Sequence, residues 1–93
     1  MSEYSGAVAA PGLTAGEKLR RRRIELGMTL RDVTLASMKI AADEQNEEFA
    51  ISISRISDIE VRGAIPGIYR IRTISQIYLI QLEELLRWYH VLG

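Results

Sequence analysis

A chain of 93 residues with 47% hydrophobic content holds material for one core and no more, since roughly 50 residues are needed before a domain stands alone. The absence of cysteine excludes disulfides, thiolate metal sites and cysteine nucleophiles, and fits a reducing, cytoplasmic address. Basic and acidic residues cancel at 12 each, which excludes a uniformly basic binder of polyanions but not a chain with one basic face.

The charges are unevenly placed. Lys18, Arg20, Arg21, Arg22, Arg23 and Arg31 crowd one stretch, and Asp43, Glu44, Glu47 and Glu48 another. No apolar run approaches the roughly 20 residues of a membrane span. The opening segment MSEYSGAVAAPGLTAG lacks the basic head and long apolar centre of a secretory signal. Residues 1–13, rich in Ser, Ala and Gly around Pro11, read as a disordered N-terminal arm ahead of a single helical domain over 14–93.

Thr14 followed three residues later by Glu17 is the pattern in which a hydroxyl and a carboxylate satisfy the free amides of a first helical turn. It predicts a helix over 14–26 that buries Leu19, Arg23, Ile24 and Leu26 and stops at Gly27. Thr29 with Asp32 repeats the signal. Leu30, Val33, Ala36, Met38 and Ala41 supply apolar positions, and AADEQNEEFA contains neither Pro nor Gly, so the second helix is expected to run to about Gln45. A third helix is predicted from Ser52 to about Glu60, with Ile53, Ile56 and Ile59 at intervals of three. The alternative, a strand through ISIS, lacks neighbouring strands to pair with.

Gly63, Pro66 and Gly67 mark a loop. The following IYRIRTISQIY is rich in β-branched residues and would be a strand on propensity alone. Ile68, Ile71, Ile74, Ile77 and Tyr78, however, recur at helical spacing. Leu82, Leu85, Leu86 and Tyr89 form a last amphipathic helix, with Glu83 and Glu84 at its start and Arg87 near its end. The expected fold class is all-α, a compact five-helix bundle.

The spaced set GEKLRRRR…LGMTLRDV…ISISRISDIE…P…LEEL resembles the helix-turn-helix domain of the phage repressor and Cro class, also called the xenobiotic-response-element class. The resemblance runs from about Thr14 to Val91. The link MKIAADEQNEEFAI is about ten residues longer than the tight turn usual between the second and third helices, which is similar to a subset of these domains carrying an insertion there. Other departures are Leu30 and Thr34 in the second helix, and Gly63 one place late after the third.

The resemblance implies a lambda-repressor-like bundle that binds double-stranded DNA sequence-specifically as a homodimeric transcriptional regulator, with no catalytic residues, cofactor or metal. It places the third helix in the major groove, with Ile53, Ser54, Ser57 and Asp58 as base readers. The residue chemistry fits independently: serine hydroxyls donate or accept, Ile53 packs on a thymine methyl, and a carboxylate accepts from the cytosine amino group. Ser52, Arg55, Arg23, Arg31 and Arg62 are the expected phosphate contacts. Arg23 is also expected to pair with Glu60, its outer face toward a phosphate.

Each assignment has a plainer alternative. The serines and Asp58 would form an ordinary solvated face, Arg23 would be one more surface arginine, and Trp88 and Tyr89 would be core residues rather than a subunit contact. His90 has no partner set for catalysis or metal binding. The second function class is a protein-interaction or antitoxin-like module gripping a protein partner through residues 40–50. Phe49 separates the two classes: buried, it anchors the insertion away from the groove; exposed, it marks a protein contact.

Overall fold

Two threonines begin the first two helices. Thr14 Oγ1 accepts from the Glu17 amide at 3.1 Å while the Thr14 amide donates to Glu17 Oε1 at 2.8 Å, and Thr29 and Asp32 exchange the same pair of bonds at 3.0 and 2.9 Å. The bonds from Thr29 hold the Asp32 carboxyl below its ordinary value. The computed structural model describes residues 13–90, and the expected arm over 1–12 and the last three residues lie outside them.

Five helices follow: α1 (Ala15–Glu25), α2 (Leu30–Glu44), α3 (Ile53–Val61), α4 (Ile68–Tyr78) and α5 (Leu82–Trp88). A single 3-10 turn, Glu47–Phe49, lies between α2 and α3, and no strand occurs among the described residues. The chain is an all-α bundle.

Leu19 from α1, Val33 from α2, Ile56 and Ile59 from α3, Ile71, Ile74 and Tyr78 from α4, and Leu85 from α5 converge in one core, joined by Ile51 and Ile80 from the connections. The β-branched residues of α4 form a helix because their spacing lets one stripe pack there, and burial outweighs their weak preference for strands.

Several apolar residues fall off these stripes. Ile24 is 54% exposed, Met38 55% and Ile68 75%. On α1 the inward stripe is Gly16, Leu19 and Arg23, which turns Ile24 toward solvent. On α2 it is Val33, Ser37 and Ala41, so a serine occupies the buried place beside Met38. Ile68 opens α4 one turn before the packed stretch begins.

Gly16 sits where α1 meets α3. A side chain there would run into the backbone carbonyl of Ile59, and would come within 2.7 Å of that of Glu60. Only glycine lets the two backbones approach so closely.

The first half of the long link folds as extra turns of α2. Gln45 ends that helix in the left-handed region (φ 54°), and the Asn46 amide closes onto the Ala41 carbonyl at 3.0 Å. Phe49 is buried, edge-on to Tyr69 with ring centroids 5.1 Å apart, and the Arg72 guanidinium lies 5.7 Å from its ring centre. The insertion is therefore pinned to α2 and α4, with Asp43, Glu44, Glu47 and Glu48 on its exposed side.

Candidate nucleic-acid interface

The third helix has one buried and one open side. Ser52 caps it, Oγ accepting from the Arg55 amide at 3.1 Å and lying 3.3 Å from Ser54 Oγ. Ser52 is thus the cap rather than the first helical residue. Ile56 and Ile59 are fully buried, as is Ile51 just before the helix. Ser52, Ile53, Ser54 and Arg55 are exposed, and Ser57 and Asp58 are half-buried. The six expected contact residues on α3 and its cap therefore share one accessible side, and Glu47 of the insertion borders it at the start of the helix.

Arg23 holds the far end of this helix. Its Nε donates to Glu60 Oε2 at 2.6 Å and its Nη2 to Glu60 Oε1 at 2.9 Å, while Nη1 donates to the Met28 carbonyl at 2.9 Å. The side chains are 11% and 3% exposed. Hydrogen bonding to Glu60 raises the Arg23 pKa still further. Burial, with the Glu60 charge nearby, pushes the Tyr78 phenol up as well.

Three of the five N–H groups of Arg23 are engaged inward and its side chain is 11% exposed, so the structure gives Arg23 a structural role at the crossing of α1 and α3. The more exposed basic residues around α3 are others.

Arg31 and Arg55 are exposed and make no ion pair among the described residues. Arg62 lies 3.6 Å from Asp58, joining an expected phosphate contact to an expected base reader. The Arg62 side chain is exposed and that of Asp58 partly so, and such a pair one helical turn apart is weak. Arg22 is turned away, its Nε donating to the Tyr78 carbonyl at 2.9 Å. Lys18 lies 5.3 Å from the centre of the Trp88 ring, which packs partly buried against the core.

Sequence reasoning missed Arg70. It projects from α4 to donate from Nε to the Ala50 carbonyl at 2.9 Å, and it lines an open groove of about 670 Å³ together with Ser52, Ser54 and Arg55. Its place opposite the apolar face of α4 marked it only as a solvated residue, and no local pattern connects it to the start of α3. Two guanidinium groups, two hydroxyls and the Glu47 carboxylate thus border the first turn, where a helix has amides without internal partners and a positive end.

Comparison with known proteins gives no match to a family model, to a curated protein or to a solved structure. Among the described residues no helix is long and apolar enough to cross a membrane, and no three His, Cys, Asp or Glu side chains gather as a metal site would require.

Proposed function

We propose that the chain is a sequence-specific double-stranded DNA-binding domain of a cytoplasmic transcriptional regulator, acting as a homodimer through the helix-turn-helix formed by α2 and α3. The observation that carries this reading is α3 itself. It is short, capped and fixed to α1 by the buried Arg23–Glu60 pair, while its opposite side offers Ser52, Ile53, Ser54, Arg55, Ser57 and Asp58 to a partner. A helix so held can enter a major groove without rearrangement.

On this reading Ile53, Ser54, Ser57 and Asp58 meet base edges, and Arg55, Arg31 and Arg62 meet phosphates, with Ser52 at the helix start. Two copies would place their reading helices about 34 Å apart, one turn of the duplex. The rival reading, a protein-binding module using residues 40–50, loses its aromatic anchor, because Phe49 is buried.

The test is selection from a random duplex library at two salt concentrations. The expected result is an enriched, two-fold symmetric sequence whose affinity falls as salt rises. Absence of any enriched sequence, with binding indifferent to salt, overturns the proposal.

A further inference from the structure

Phe49, Ala50 and Ile51 lead directly into α3, yet Ala50 and Ile51 belong to no helix or strand that would satisfy their backbone. Peptide groups in such a position need other partners, and buried ones left unpaired are costly. Here three side chains from two other helices supply them. Ser37 of α2 accepts from the Ile51 amide at 2.9 Å while its hydroxyl donates to the Thr34 carbonyl at 2.7 Å. Thr73 of α4 donates to the Phe49 carbonyl at 2.7 Å. Arg70, nearly one turn earlier on α4, donates to the Ala50 carbonyl at 2.9 Å.

Packing alone would not choose these residues. Ser37 and Thr73 are both 0% exposed, at positions on the inward stripes of their helices where an aliphatic side chain would fill the space without a hydroxyl to satisfy. Hydroxyls within helices commonly turn back onto their own carbonyls. These two also reach across to the same short link, and Arg70 joins them there.

We propose that Ser37, Thr73 and Arg70 are positioning residues that set the pose of α3, a three-point clamp doing for this long link what a tight turn does between adjacent helices. The inference rests on α3 being the DNA-reading helix. Base contacts demand a fixed orientation, whereas long arginines reaching for phosphates tolerate small shifts. Loosening the clamp therefore costs discrimination between sequences more than it costs electrostatic affinity.

The full chain is compared with Thr73→Val, which keeps the volume and removes the hydroxyl, and with Thr73→Ser, which keeps the hydroxyl. Two quantities are read: amide hydrogen exchange at Ile51, Arg55 and Ile56 against that at Leu19, and the ratio of affinities for the selected and a random duplex. In Thr73→Val, exchange at the three amides is expected to rise roughly tenfold with Leu19 unchanged, and the affinity ratio to fall roughly tenfold at an unchanged salt slope. Thr73→Ser is expected to restore both.

Exchange that stays the same, or rises equally at Leu19 while the affinity ratio holds, overturns the clamp. Should Thr73→Val not fold, Arg70→Met cuts the half-buried strand of the clamp and is judged on exchange and affinity ratio in the same way. If the parent chain selects no duplex sequence, the DNA reading falls by itself, and exchange at the three amides still decides whether the clamp holds α3.

Discussion

Arg23 closes on Glu60 with two parallel hydrogen bonds, of 2.6 and 2.9 Å, at the crossing of α1 and α3. A third bond from the same guanidinium, to the Met28 carbonyl at 2.9 Å, ties in the turn between α1 and α2. Glu60→Gln keeps the shape of the acceptor but removes its charge, leaving a buried cation without a counter-ion. The expected loss is about 3 kcal/mol, measured by urea unfolding. A midpoint equal to that of the parent would show that the pair contributes nothing. The double replacement Arg23→Met with Glu60→Leu is expected to recover most of the loss, because it removes both buried charges together.

Gly16 makes a second demand on the same crossing. An alanine methyl would meet two backbone carbonyls, and neither can swing aside as a side chain would. Gly16→Ala is expected to lower stability by about 3 kcal/mol despite alanine's better helix propensity. Gly67→Ala serves as the control, since nothing lies within 4 Å of a methyl group there and its φ is negative. Equal melting temperatures for the two variants would contradict the close approach of α1 and α3.

Tyr89 predicts the response to alkali. Burial pushes its phenol up to about 12 from an ordinary 10.0, and its hydroxyl has no hydrogen-bond partner among the described residues. A folded pKa above the unfolded one contributes stability that is fully present below pH 10.0 and is lost as pH rises through about 12. Tyr89→Phe is expected to flatten that loss and to raise stability at neutral pH by about 1 kcal/mol, by removing an unsatisfied buried hydroxyl. The buried Tyr78 leaves a residual alkaline dependence. Unfolding curves from neutral to strongly alkaline pH check both points, and a less stable phenylalanine variant would refute the first.

On the proposed DNA-binding reading, Arg55 and Asp58 separate the two kinds of contact. Arg55 is exposed and outside any ion pair among the described residues, so Arg55→Gln is expected to weaken binding to all duplexes alike and to reduce the salt slope by about 1. Asp58→Asn is expected to change the selected sequence instead, since an amide both donates and accepts where a carboxylate only accepts. Repeating the library selection with each variant checks the contrast. An unchanged preferred sequence in Asp58→Asn would remove that residue from base reading.

What the sequence disclosed follows from the range of the interactions. Thr14 with Glu17 and Thr29 with Asp32 were legible because a cap is made between residues three apart. The helix over Ile68–Tyr78 was legible because the spacing of Ile71, Ile74 and Tyr78 overrode β-propensity. The flanks of the stripes were not, as Ile24 and Met38 show: which neighbour turns inward depends on what packs opposite. The pairing of Arg23 with Glu60 came with the family resemblance rather than from spacing, and the depth of its burial was hidden. Ser37, Arg70 and Thr73 were missed because their partners are peptide groups 14 to 24 residues away, and no local pattern announces such bonds.

Ile53 has a thermodynamic consequence. It stands 42% exposed at the head of α3, between two serines whose hydroxyls lie 3.3 Å apart. Any molecule lying over that turn must strip the hydration from a branched hydrocarbon side chain, and the lasting mark of such dehydration is a negative heat-capacity change. Calorimetric titration across a range of temperatures would carry that signature, and it should shrink when Ile53 is shortened to alanine.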